Sequence, residues 1–491
     1  MPVFPWLLAA ALAPAQAADA PQPAPAAPQA TAQAAPADKA DAVSIPYQKY
    51  TLPNGLDVIL SEDHSVPVVQ VNIWYDVGSK DEVAGRTGFA HLFEHLMFQG
   101  SKHMDDDYFV PLQKIGGRVN GSTTFDRTNF FEGVPSEDLP TALWLESDRM
   151  GWLLDALTPD KLQNQKDVVR NERRQRYEIT PYGKVWIWLF ENLYPVGHPY
   201  HEPTIGEHED IEAATMDDVK AFFRKWYVPS NASLVICGDF DPKTAKGLVE
   251  KYFGDIPAGG PAQHKEVQPV QLTQEKVVRK YDDVPYPKVW IAWLTPKLYA
   301  PGDADLDILS SVLTDGKDSR LYKKLVYEDQ IAKDVTAYQY SARLQSQYII
   351  EATPAAGHTT DEVVAAIDKE LAEIRKDGPT TDEVSVARTN WKAQFYDGLQ
   401  TVANKADLLN SYNTVTGDPG YITKDLARYM AVTADSVHDV VDQYLDPNRR
   451  VVLHVLPKSM EPVSTDATPA KDAPTQATPA APARKEAPDA Q

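Results

Sequence analysis

The chain has 491 residues, with 70 Asp and Glu against 48 Lys and Arg, giving a formal charge of −22. That length predicts roughly two to four domains, and 43% hydrophobic content is enough to fill real cores. So negative a chain is unsuited to nucleic acid or an anionic membrane surface as its main partner, and a single cysteine, Cys237, excludes an intrachain disulfide framework or a Cys-rich zinc module.

In chain order, the first feature is a short apolar run, Phe4 to Ala13, followed by the small-x-small triplet Ala15-Gln16-Ala17. The run is too short to span a bilayer, so residues 1–17 read as a secretory signal peptide and the protein as exported, periplasmic or secreted. No later apolar run approaches a membrane-spanning length. Residues 18–45 are an Ala/Pro-rich linker and 458–491 a low-complexity tail. Both are too poor in apolar side chains to offset chain entropy and are expected to be disordered.

The region between them repeats one order of features. The first half opens on an alternating strand, Val68 to Tyr75, followed by a helical segment, Gly88 to Phe98. A polar helix is predicted over Pro159 to Glu178, with Leu162, Val168 and Val169 on its inner side. His198, His201 and His208 follow in a Pro/Gly-rich setting that reads as a surface loop rather than a second metal site. Trp186, Trp188, Tyr194 and Tyr200 read as core and loop packing. A buried strand, Ala232 to Cys237, closes this half and makes Cys237 an inert core thiol. After the Pro257–Pro261 punctuation come a strand (Val289 to Leu294), a helix (Asp303 to Leu313) and a closing strand (Arg450 to Leu456). The pattern predicts an α+β fold of two similar domains, 46–256 and 275–457, joined by a linker over 257–274.

The chemistry is concentrated in Gly88 to Phe98. On a helix, His91 and His95 lie one turn apart on one face, and Glu94 points to nearly the same side. Two neutral imidazoles at that spacing suit Zn²⁺, and the carboxylate beside them suits a general base for a metal-activated water. A catalytic zinc needs a third protein ligand. Glu172, at i+3 and i+4 from Val169 and Val168, turns towards the core, where an unpartnered carboxylate is costly.

His91-x-x-Glu94-His95, followed after 76 intervening residues by Glu172 in Val168-Val169-Arg170-Asn171-Glu172-Arg173, closely resembles the pitrilysin-type, inverted-motif zinc metallopeptidases over essentially all of residues 46–457. The resemblance implies two α+β domains closing like a clamshell on an unfolded peptide. It also implies one zinc on His91, His95 and Glu172, with Glu94 as general base in peptide-bond hydrolysis. Gly116-Gly117-x-x-Asn120-Gly121-Ser122-Thr123 resembles the family's edge strand, where substrate adds as a further strand. Asn120, Gly121 and Ser122 are then substrate-binding candidates, with Asn120 read alternatively as a turn residue after two glycines. Asp318-Ser319-Arg320-Leu321-Tyr322 matches a family segment read here as structural, with Ser319 as a helix cap. Arg173 is expected to support the zinc-ligand helix from outside the ligand set.

Two departures accompany the match. Gln165 stands where many members carry a second glutamate seven residues before the third ligand; it keeps hydrogen bonding without charge. The arginine and tyrosine that single-chain members use to grip the substrate carbonyl fall here on Val326 and Lys333. Valine cannot donate, and losing such a donor typically costs on the order of 10²–10³ in rate. A related partner subunit supplying the pair is therefore expected, with a homodimer or monomer as the competing arrangement. A catalytically silent scaffold subunit is the alternative function, against which the intact His91, Glu94, His95 and Glu172 set argues.

Overall fold

The computed structural model describes residues 43–260 and 262–462; the predicted leader, most of the first linker and nearly all of the tail lie outside that range. Among the described residues no helix is long and apolar enough to cross a membrane.

Two mixed sheets follow one another along the chain. The first contains β1 (Gln48–Thr51), β2 (Asp57–Glu62), β3 (Val68–Tyr75), β4 (Arg118–Thr123), β5 (Thr128–Pro135) and β6 (Ala232–Gly238), in the spatial order β1-β2-β6-β3-β5-β4. The second contains β7 (Lys276–Asp282), β8 (Lys288–Thr295), β9 (Ala332–Tyr340), β10 (Ser346–Pro354) and β11 (Val451–Pro457), in the order β7-β11-β8-β10-β9. The closing strand of each sheet pairs parallel with one early strand (β6 with β2, β11 with β7) and antiparallel with the strand that follows it in the chain (β6 with β3, β11 with β8). The duplication expected from the order of features is thus a repeat of topology as well.

Both faces of the central strands are apolar, so each sheet needs cover on both sides. One face of the first sheet (Val58, Leu60, Val71, Ile73) packs with Leu92, Phe93 and Leu96 of the Phe89–Leu96 helix and with Leu143 and Leu153 of the Leu139–Ala156 helix. Its other face, including Ile59, Val235 and Cys237, is covered by Leu408, Leu409 and Tyr412 of the Val402–Thr416 helix, which belongs to the second half of the chain. The exchange is reciprocal. Val185, Leu189 and Phe190 of the first half's Val185–Leu193 helix cover Ala292, Ile349 and Leu453 on the second sheet. Tyr194 and Tyr200 are buried in this same cluster and Trp186 and Trp188 pack against it, in keeping with a packing role. Cys237 is fully buried, and burial pushes its thiol up to about 11.

Local corrections to the sequence reading have simple causes. The Pro159 helix ends as an α-helix at Arg173 and continues as a π-turn over Arg174–Ile179. Val169 and Leu162 are buried as expected, but Val168 is exposed, because consecutive helix positions diverge by about 100°. Ser319 does not cap: its hydroxyl donates to the Gly316 carbonyl (2.7 Å). The His198 stretch is a loop with Pro195, Val196 and Gly197 exposed, but His198 itself is buried, stacked on Tyr194 at 4.4 Å, and accepts the Tyr200 N–H (3.1 Å). His201 turns to the Tyr194 carbonyl and His208 to Glu178, so the three imidazoles do not converge.

A charged latch joins the interdomain segment to both halves. His264 reaches Asp76 (Nε2, 3.3 Å) and Asp81 (Nδ1, 2.8 Å), with Lys80 on Asp81, Arg343 of the second half on Asp76, and the Trp226 ring 5.2 Å away. The hydrogen bonds to Asp76 and Asp81 raise His264 from the ordinary 6.5 to about 9. Since the folded-state value lies above the unfolded one, the contribution is complete below about pH 6.5 and is lost as pH rises through 9. His264→Gln is expected to lower the melting temperature most near pH 6 and hardly at all near pH 10. A gap independent of pH would show that the imidazolium is not what the latch uses.

Candidate metal centre

The Phe89–Leu96 helix is fixed at its start by close backbone contact. Gly88, at φ +80°, meets Gly206 so closely that a Cβ on Gly88 would lie 2.7 Å from the Ile205 carbonyl oxygen. Glu82 accepts the free N–H groups of Gly88 (2.9 Å) and Ala90 (2.8 Å), doing the work of an N-cap from outside the helix. Arg173 donates to the Gly206 carbonyl (2.8 Å) and pairs with Glu178 and Glu207 (2.6 Å each). It thereby ties the Pro159–Arg173 helix to the loop on which the first helix rests.

This framework brings His91, His95 and Glu172 together. Glu172 Oε2 lies 3.1 Å from His95 Nε2 and 3.7 Å from His91 Nε2, and one ligand atom from each residue falls within 4.8 Å of the others. Ligands about 2.1 Å from a tetrahedral zinc stand about 3.4 Å apart, a separation that the two contacts of Glu172 bracket. Among the described residues it is the one cluster of this kind.

Burial pushes the His91 imidazole down to about 4, towards the neutral, ligating form. Burial opposes charge on Glu172, but the His95 hydrogen bond and the nearby cationic Arg176 outweigh it and bring the carboxyl down to about 2. Arg176 reaches Glu172 Oε1 at 2.9 Å. Arg176 makes this contact from a largely exposed position, at the i+4 spacing that favours such pairs.

Glu94 stands beside the cluster with its Oε2 accepting the Thr123 hydroxyl (2.7 Å), and burial raises its carboxyl above the usual range. Thr123 ends β4, which is the edge strand of the first sheet. On the same strand Asn120 is exposed, its Oδ1 accepting the Gly121 N–H (2.9 Å), while Ser122 donates to Asn129 (2.7 Å). Asn120 therefore lies within a strand and is not a turn residue. Gln165 is buried on the Pro159–Arg173 helix, two turns before Glu172. Val326 packs against the second core, and the Lys333 ammonium sits 4.5 Å over the Tyr286 ring. Residues that only proximity reveals are Glu82, Thr123 and Arg127, the last donating to Ser122 and Asn129 from the β4–β5 turn.

Known proteins resemble this chain in sequence and in fold. Residues 57–181 match the family model for insulinase (peptidase family M16), and residues 213–390 match the model for the peptidase M16 inactive domain. The segment matched by the "inactive" description contains none of His91, Glu94, His95 and Glu172. The zinc protease PqqE of Helicobacter pylori is 28% identical over 421 residues, covering 84% of this chain and 93% of that protein. A protease structure from Helicobacter pylori superposes with a TM-score of 0.78 at 27% identity, over 84% of this chain and all of that one. A peptidase M16 inactive domain from Pseudomonas fluorescens shares the fold, with a TM-score of 0.75 at 18% identity over 84% of this chain and 98% of that one. With an α+β fold of two topologically repeated halves and both family models matched in order, the chain belongs to the pitrilysin-type, insulinase-like M16 peptidase family.

Proposed function

We propose that this chain is a zinc-dependent endopeptidase or oligopeptidase acting on unfolded peptides, with one zinc held by His91, His95 and Glu172. The observation that carries the reading is the convergence of those three side chains on one point, with a buried carboxylate, Glu94, held beside it by Thr123. Zinc bound there supplies a Lewis acid for the scissile carbonyl. Glu94 takes the proton of the attacking water and returns it to the leaving amine; its raised basicity and fixed hydrogen bond suit both transfers. The open edge of β4 offers main-chain hydrogen bonds to an extended peptide, with Asn120, Gly121 and Ser122 alongside. Gln165 contributes hydrogen-bonding capacity without charge, and Arg173 keeps the two ligand-bearing helices in register.

Residues 46–256 form the zinc-bearing half in this reading and 275–457 its counterpart. Neither Val326 nor Lys333, engaged with Tyr286, grips a substrate carbonyl as the family's arginine and tyrosine do. A related subunit supplying that pair is the preferred active unit, ahead of a homodimer. Export to the periplasm is supported by the apolar run and small-x-small triplet before residue 18.

The test is metal analysis and peptide hydrolysis by the purified full chain, alone and with a co-purified related chain. Zinc at about one per chain, activity lost to a chelator and restored by zinc, and stimulation by the second chain are the expected results. A well-folded preparation that takes up no zinc would end the peptidase reading. Full activity of the chain alone would remove the partner.

A further inference from the structure

The end of the edge strand is held from both faces of the sheet. Neighbouring side chains on a strand point to opposite faces, and Thr123 and Ser122 divide in this way. On one face Thr123 donates to Glu94 (2.7 Å). On the other, Arg127 donates to the Ser122 carbonyl (2.9 Å), the Ser122 hydroxyl (2.6 Å) and Asn129 Oδ1 (3.2 Å), while the Ser122 hydroxyl donates to the same Asn129 oxygen (2.7 Å).

That row continues across the sheet, because Ser122 stands opposite Asn129 in β5 and Asn129 opposite Trp74 in β3. It ends on a residue of the other half. Asp407, on the Val402–Thr416 helix, accepts from Trp74 Nε1 (3.0 Å), Asn72 Nδ2 (3.2 Å) and Asn129 Nδ2 (3.3 Å) through one oxygen, Oδ1. Arg127 lies 5.0 Å over the Trp74 ring and makes no ion pair of its own with Asp407; the acidic groups facing it are Asp407, Glu94 and Asp126.

Elsewhere this helix meets the sheet through apolar contacts among Ile59, Val235, Cys237, Leu408 and Leu409, and through further polar ones: Asn410 donates to the Asn72 carbonyl (2.8 Å), Asn413 to Asp57 (3.1 Å) and Ser233 (2.9 Å), and Lys405 to Asp63 (2.6 Å). An interface that needed only adhesion would stay apolar to its edge. A hydrogen-bonded row fixes register, since a one-residue slip would leave several half-buried polar groups unpaired.

We propose that Asp407 and Arg127 are positioning residues, through which the second half of the chain sets the place of the peptide-binding edge strand and of Glu94. The proposal rests on the peptidase reading for its purpose, but its physical claim concerns the strand and can be tested without that reading.

Two measurements on the full chain test it. In a Glu94→Gln background, which binds without cleaving, the affinity for a fluorescent unfolded peptide is measured with Arg127→Gln, Asp407→Ala and both together. Each single substitution is expected to weaken binding by about tenfold, the double no more than the worse single, and Arg127→Lys to recover part of the loss. Lys405→Ala breaks a different contact of the same helix, its ion pair with Asp63, and is expected to leave affinity unchanged. Losses that add, or an equal loss from Lys405→Ala, would overturn the proposal in favour of general interface damage.

The second measurement is hydrogen exchange of the β4 amides. Asp407→Ala is expected to speed exchange over Arg118–Thr123, and Lys405→Ala is not; unchanged β4 exchange overturns the proposal. If the parent protein binds no peptide, the peptidase reading falls, and the exchange result still decides the positioning claim.

Discussion

Glu94→Gln is expected to reduce peptide hydrolysis by about 10²–10⁴-fold while leaving the zinc content unchanged. The two halves of that expectation come from different atoms. Glu94 is outside the ligand group formed by His91, His95 and Glu172, so replacing its carboxylate with an amide of the same shape removes no donor from the metal. The amide nitrogen cannot accept a proton, and the remaining oxygen keeps the contact with Thr123 (2.7 Å). Steady-state assays on an unfolded polypeptide, paired with metal analysis of the same samples, separate the two. Glu172→Gln provides the contrast: it replaces a ligand whose carboxyl is held down to about 2, and zinc itself is expected to be lost. Activity within tenfold of wild type for Glu94→Gln would mean that another group takes the proton.

Arg149→Ala should be the most destabilising single substitution considered, costing about 3–5 kcal/mol. Arg149, Glu132 and Glu146 are all fully buried, at 1% exposure or less. The guanidinium bonds both carboxylates, through Nε to Glu146 (2.9 Å) and through NH2 to Glu132 (3.0 Å) and Glu146. It lies 4.1 Å from the Tyr108 ring and 4.3 Å from that of Phe130. Truncation leaves two carboxylates in an apolar pocket with no cation. Burial already raises Glu132 in the intact protein, and without the guanidinium the buried pair rises further, so the mutant gains stability as pH falls and the gap to wild type widens from pH 5 to pH 8. Denaturant unfolding at both pH values measures this. A loss below about 1 kcal/mol would show that the pocket takes in water or that the pair is dispensable. Phe98, just beyond the zinc-motif helix, also packs on Arg149 (5.6 Å), so zinc affinity should weaken in the same variant.

Much of the local geometry around His91, Glu94 and His95 is legible in the sequence, because its information is local. The i, i+3, i+4 spacing of His91, Glu94 and His95 needs only a helix to bring the three side chains to one side. The strand β3 was predicted over the same residues it occupies, since strict alternation leaves little choice of register. Glu172 was harder: its inward direction followed from Val169, but its meeting with the histidines depends on one helix packing on another. The errors fell where a neighbour, rather than a period, decides. Val168 looked like a core residue until the packing of its helix turned it outward, and His198 looked exposed until Tyr194 stacked on it.

By itself, the sequence determined the α+β class, the repeated order of elements and the helix that carries His91, Glu94 and His95, because each element is written in a short stretch of consecutive positions. Only the tertiary structure decided that the Val185–Leu193 and Val402–Thr416 helices change sides, so that each half covers the other's sheet. Only it decided that Thr123 holds Glu94, and that Asp407 stands 278 residues along the chain from the Asn129 it contacts. The physical reason is that an apolar face carries no address: it records that it must be covered, while closure of the whole chain selects which segment covers it.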